Sequence, residues 1–97
     1  MGAKLDEVKA ILNQLKPELT SKYPIASIGL FGSVVRDDFT ENSDIDIVVE
    51  FDGPIGIEFV DLAEELEAKL NWKVDLVSKK GIKEKYLRVI EPQIVYI

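Results

Sequence analysis

The stretch Asp44-Ile45-Asp46-Ile47-Val48-Val49-Glu50-Phe51 admits few readings. Ile45, Ile47, Val49 and Phe51 share one parity, the period-2 alternation of a strand with one buried face, and Asp44 and Asp46 lie on the other face. Asp is a poor strand former, and like charges on one face repel. At about 3.3 Å per residue their Cα atoms lie roughly 6–7 Å apart. Both carboxylates can therefore converge on divalent ions, two of which can sit about 3.5–4 Å apart. Alone, an Asp-x-Asp is most simply a solvated strand face. An EF-hand loop is excluded, because Val48 and Val49 stand where further oxygen ligands and a turn glycine are needed.

Around this strand the chain alternates helical and extended signals. Leu5, Val8, Ile11, Leu12, Leu15 and Leu19 have the spacing of an amphipathic helix. Pro17 is expected to kink that helix, or to restart it from a first turn. Ile25 to Phe31 reads as a buried strand, Gly32-Ser33 as a turn leading into one or two helical turns through about Asp37, and Asp38 to Ser43 as a loop. Asp52-Gly53-Pro54 is a turn. A second amphipathic helix runs from about Gly56 to Leu70 on Phe59, Val60, Leu62, Ala63, Leu66 and Leu70, with Asn71 as its stop. Trp72 to Ser78 is a third strand. Ile82, Tyr86, Val89 and Ile90 suggest a third helix ended by Pro92, and Ile94 to Ile97 a last short strand. The expected fold is α/β (α+β), one domain over residues 1–97, with a small mixed, twisted sheet of about four strands and helices on one side.

Composition narrows the chemistry. With no Cys and no His, thiolate chemistry, zinc hydrolysis and Ser-His-Asp catalysis are excluded. Any metal site must use oxygen ligands, which suit Mg²⁺, Mn²⁺ or Ca²⁺. A net charge of −6 argues against direct nucleic-acid binding and against an anionic membrane surface. No apolar run reaches the roughly 20 residues of a membrane span and no signal-peptide pattern opens the chain, so the cytoplasm is the expected location.

Three further features each have a plain reading and a chemical one. Gly32-Ser33 is an ordinary strand-to-helix turn, or a place where a phosphate meets bare backbone, helix-terminal amides and the Ser33 hydroxyl. Arg36, one of two arginines, is a surface charge, or a fork bracing the Asp pair or the phosphates. Asp75 is a polar residue in a strand, or a third carboxylate.

Together, Gly32-Ser33, ten residues, Asp44-Ile45-Asp46 in an apolar strand, then Asp75 in a later one, form a specific constellation. It resembles the DNA polymerase β-like nucleotidyltransferase superfamily, and within it the minimal nucleotidyltransferase (MNT) group. Leu30-Phe31-Gly32-Ser33-Val34-Val35-Arg36 and Asn42-Ser43-Asp44-Ile45-Asp46-Ile47-Val48-Val49-Glu50-Phe51 are similar to that family almost position for position, and the resemblance covers nearly the whole chain.

The resemblance implies that Gly32 and Ser33 hold the triphosphate of ATP, with Arg36 matching the family's Arg in that turn. Asp44, Asp46 and Asp75 would ligate Mg²⁺, two ions in all, and Asp75 would assist deprotonation of an attacking hydroxyl. It implies in-line attack on the α-phosphorus with pyrophosphate leaving. Where the family often has Gly after the Arg, this chain has Asp37, so a local change is expected there if the position requires a positive φ. Ninety-seven residues leave no room for an acceptor domain. MNT proteins pair with HEPN-type partners as antitoxins, and some adenylylate a tyrosine of the HEPN toxin. The rival expectation is a non-catalytic module that neutralises such a partner by contact alone.

Overall fold

The computed structural model describes residues 2–97. Four strands form one sheet, β1 (Ile25–Phe31), β2 (Ile45–Phe51), β3 (Val74–Ser78) and β4 (Val95–Tyr96), in the order β3-β2-β1-β4. β1 runs antiparallel to β2 and β4, and β2 runs parallel to β3. A parallel pair needs a crossover, which α2 (Glu58–Leu70) supplies. α1 (Ala3–Lys22) precedes the sheet, and α3 (Glu84–Ile90) lies between β3 and β4.

The strand alternation becomes a core of one parity. Ile28 pairs with Val49 and Leu30 with Ile47, and on this face they join Ile45 and Phe51. α1 brings Leu5, Val8, Leu12 and Leu19 onto it, and α2 brings Leu62, Leu66 and Leu70. Each such aliphatic side chain contributes about 1.5–3 kcal/mol of transfer free energy when fully buried. Tyr23 Oη and Lys22 Nζ both donate to the Glu65 carboxylate, at 3.0 and 2.8 Å, tying the end of α1 to α2.

The opposite face is covered only in part, by the C-terminal segment. Tyr96 pairs with Gly29, and a Cβ on Gly29 would run into the Ile94 side chain and press on Tyr96 and Val48. Glycine is required there by close approach. Ile97 N–H donates to the Ile28 carbonyl at 2.9 Å, and Lys16 Nζ donates to the Ile97 carbonyl at 2.8 Å.

Four expectations change. α1 continues through Pro17 and does not restart there, which leaves the kink as the other expectation. Pro17 and Asn13, whose carbonyl loses its helical donor, are both exposed, so water can satisfy that carbonyl. The helical turns expected after Gly32 shrink to one 3₁₀ turn, Gly32–Val34, with the Val35 and Arg36 N–H groups on the Gly32 carbonyl at 3.1 and 3.2 Å. β2 starts at Ile45, leaving Asp44 just outside it. α3 forms but buries none of its residues, and Tyr86 and Val89 are 56% and 65% exposed. No helix among the described residues is long and apolar enough to cross a membrane.

Candidate active site

The register of the sheet assembles the carboxylates. Asp46 of β2 lies directly opposite Asp75 of β3 on the face away from α1 and α2. On its other side Asp46 faces Phe31, the last residue of β1, so the chain turns at Gly32 beside the Asp46 carboxylate. Gly32 adopts φ +75°, and a Cβ there would collide with Asp46 Oδ2. Two independent constraints thus require glycine, backbone handedness and contact with an aspartate. The second was invisible in the sequence, because it depends on the pairing of β1 with β2.

Asp46 is half-buried, and its carboxyl is pushed up to about 6, first by burial, then by the charges of Asp75 and Asp44, with Arg36 opposing the shift. Asp75 is exposed and Asp44 partly buried. No group of three or more carboxylates among the described residues closes into a ready-made ion cage. The arrangement is an apposed pair, Asp46 and Asp75, with Asp44 within electrostatic reach. Asp46 and Asp75 are close enough to share a side-chain hydrogen bond, which favours a proton or a cation between them. An all-oxygen, strongly anionic donor set of this kind fits a hard divalent cation such as Mg²⁺.

Gly32 and Ser33 sit in the turn beside this pair, as expected. A single 3₁₀ turn carries little dipole, so anion recognition here depends on bare backbone at Gly32 and the Ser33 hydroxyl, with little help from a helix field. Arg36 does not brace the aspartate pair. Its fork rests on Asp38, Nε to Oδ1 at 3.2 Å and Nη2 to Oδ2 at 3.3 Å, while its charge still acts on Asp46. Asp37 needs no special conformation, since Asn71 is the only non-glycine residue with positive φ among those described.

Parity from Asp46 and Asp75 places Val48 and Val77 on the same face, next along the strands. Beyond Val48 lie Gly29 and Tyr96, and Lys79 Nζ reaches the Tyr96 hydroxyl at 3.3 Å and the Glu91 carboxylate at 3.1 Å. Sequence reasoning missed this neighbour of the site, because no local pattern reports that β4 joins the edge of β1. Depressions of about 450 and 260 Å³ lie against Trp72 and against Arg36, and neither is lined by an aspartate of the site. Of the three carboxylates, Asp75 is exposed while Asp44 and Asp46 are partly buried.

Asp46 on β2, Asp44 just before it, the Gly32-Ser33 turn against Asp46 and Asp75 in register on β3 lie together in the fold. Residues 12–94 match the family described as Nucleotidyltransferase domain. A Methanocaldococcus jannaschii protein named as a candidate protein adenylyltransferase, MJ1379, is 46% identical over 97 residues, covering 96% of this chain and 97% of the relative. Protein adenylyltransferase MntA of Thermococcus cleftensis is 39% identical over 94 residues, covering 96% and 95%. Among solved structures, a candidate minimal nucleotidyltransferase superposes with TM-score 0.80 at 26% identity, over 97% of this chain and 98% of its own. A toxin–antitoxin complex with AMP-PNP superposes with TM-score 0.68 at 26% identity, over 96% of this chain and 71% of its own. With most of its length inside that match, and with strand pairing that brings Gly32, Asp46 and Asp75 together, the chain belongs to the nucleotidyltransferase domain family.

Proposed function

We propose that this protein transfers AMP from Mg²⁺-bound ATP to a hydroxyl, most favourably a tyrosine, of a HEPN-type partner protein, and so acts as an antitoxin in the cytoplasm, where ATP and Mg²⁺ are supplied. The observation that carries the reading is Asp46 held between Asp75 and Gly32, with Asp44 close by. Its close relatives support the donor and the acceptor class, being named protein adenylyltransferases. Another superposable structure is described as a tri-AMPylated Shewanella oneidensis HEPN toxin in complex with an MNT antitoxin, at TM-score 0.68 and 26% identity.

Asp44, Asp46 and Asp75 would hold Mg²⁺, two ions in this reading. When bound, the metal neutralises phosphate charge and acidifies the attacking hydroxyl. The chain's own groups do the rest. Gly32 admits the triphosphate to the backbone and the Ser33 hydroxyl donates to a phosphate oxygen. Arg36 can leave exposed Asp38 for a phosphate at little cost, because an ion pair between two exposed side chains is weak. Asp75, exposed beside Asp46, takes the hydroxyl proton as the new oxygen–phosphorus bond forms and the bond to pyrophosphate breaks. With Asp75 exposed, the acceptor hydroxyl is brought by a second protein.

The test is intact-mass spectrometry of a HEPN-type partner protein, after incubation with this protein, ATP and Mg²⁺. The partner is expected to gain whole adenylyl units with wild type and none with Asp75→Asn. If its mass never changes while wild type and Asp75→Asn silence its toxicity equally, neutralisation is by contact and the proposal fails.

A further inference from the structure

The peptide groups on both sides of Asp44 are bonded to one short segment, the link between α2 and β3. The Ser43 carbonyl accepts the indole N–H of Trp72 at 2.7 Å. The Ile45 N–H donates to the Lys73 carbonyl at 2.9 Å. Rotation about φ of Asp44 moves the first peptide plane, and rotation about ψ moves the second. With both planes tied, the Cα–Cβ direction of Asp44 has little freedom. β2 begins only at Ile45, so the strand ladder does not supply the bond on the Ser43 side.

The segment that holds Asp44 is itself well anchored. Asn71, at φ 52°, reverses the chain at the end of α2, and the Trp72 backbone N–H returns to the Glu67 carbonyl at 3.4 Å. The Glu67 side chain accepts the Val74 N–H at 3.0 Å, fixing the start of β3. The indole ring packs on Phe39, with centroids 5.5 Å apart, and lies 3.9 Å beneath Lys4 Nζ. On the approach to Asp44, the Ser43 N–H donates to the Thr40 carbonyl and the Thr40 N–H to Ser43 Oγ, both at 3.0 Å. The loop therefore reaches Asp44 from a fixed direction.

A part-buried indole ordinarily finds one acceptor for its N–H. Here the acceptor is the carbonyl preceding Asp44. We infer that Trp72 is a positioning residue for Asp44, its indole N–H and the Lys73 carbonyl together fixing the backbone that presents this carboxylate toward Asp46. The inference rests on the proposed role of Asp44 as a Mg²⁺ ligand. A ligand already aimed spares the ion the cost of ordering the loop, so Trp72 acts on metal affinity and leaves the Gly32 turn untouched.

Trp72→Phe keeps an aromatic ring against Phe39 and Lys4 and removes the donor. Calorimetric titration of AMP-PNP into the full chain at a series of Mg²⁺ concentrations gives the Mg²⁺ needed for half-maximal nucleotide binding. That concentration is expected to rise roughly two- to tenfold in Trp72→Phe, the equilibrium equivalent of one hydrogen bond, with metal-free AMP-PNP binding unchanged. Phe39→Leu, which disturbs the packing of the ring and leaves its donor, should lower thermal stability without moving the Mg²⁺ requirement. An unchanged requirement in folded Trp72→Phe overturns the inference. An unchanged requirement in Asp44→Asn overturns instead the metal role on which it rests. If Trp72→Phe does not fold, wild type decides. The chain has one Trp and so one indole N–H resonance, which Mg²⁺ with AMP-PNP should shift in wild type and not in Asp44→Asn. No shift in wild type overturns the inference.

Discussion

Asp46 is the residue on which the charge balance of the site turns. Its carboxyl is pushed up to about 6 by burial, Asp75 and Asp44, against the pull of Arg36. A folded-state value above that of an ordinary carboxylate means that the folded protein holds this proton more tightly than the unfolded chain. The resulting stabilisation is complete below about pH 4 and is lost as pH rises through about 6. Metal-free protein should therefore unfold at lower temperature at pH 7 than its other groups dictate, and Asp46→Asn should flatten that part of the profile and unfold higher at pH 7. Calorimetry in chelator from pH 4 to 8 checks this, and an identical profile for both proteins would refute it. Gly32→Ala should cost about 1–2 kcal/mol from positive φ alone. The new Cβ must also displace the Asp46 carboxylate, so transfer should fall roughly a hundredfold, the scale of an atomic misplacement of about 1 Å. Comparable activity in both proteins, measured by adenylyl transfer, would remove Gly32 from the site. The aspartates were readable because strand parity puts polar residues on one face. The Gly32 contact and the parking of Arg36 on Asp38 were not, since neither follows from local spacing.

At the scale of elements, apolar periodicity located each helix and strand wherever an apolar face meets the core. α1 and α2 carry a buried stripe and appear as expected. α3 has the same periodicity with no core beneath it, and periodicity alone cannot distinguish a face that is buried from one that is left outside. β4 is only two residues long and exists through its pairing with β1, which no local signal encodes. Pro17 was expected to kink α1 or to restart it, and the helix continues through it because the lost bond lies on the solvent side. Tolerance is not neutrality. An interior helix Pro costs about 3 kcal/mol, offset in part by the roughly 0.4–1 kcal/mol it removes from unfolded-chain entropy. Pro17→Ala should therefore stabilise the protein by roughly 2–2.6 kcal/mol in urea titration and leave transfer unchanged, as α1 contributes no residue to the site. A destabilised variant would mean that the ring has packing that the exposed position does not suggest.

For the whole molecule, the net charge of −6 and the crowding of Asp44, Asp46 and Asp75 at one end of the sheet make two distinct demands on ions. Diffuse repulsion over the surface is relieved by any salt, since the screening length is about 10 Å at 0.1 M. Asp46 and Asp75 sit on adjacent strands, which lie about 4.8 Å apart, well inside that length, and mobile monovalent ions relieve them poorly. A divalent ion bound between them stabilises the folded chain by linkage, about 2.7 kcal/mol at a hundred times its dissociation constant. For a domain of this size each kcal/mol moves the melting temperature by roughly 4–8 °C. At matched ionic strength, MgCl₂ should thus raise the melting temperature by several degrees more than NaCl. The double variant Asp46→Asn/Asp75→Asn should keep the common salt effect and lose the excess, because the unspecific charge remains while the pair is gone. Thermal scans in the two salts separate the contributions without nucleotide or partner. If Mg²⁺ and Na⁺ act alike on wild type, or if the excess survives in the double variant, the divalent site lies elsewhere than at Asp46 and Asp75.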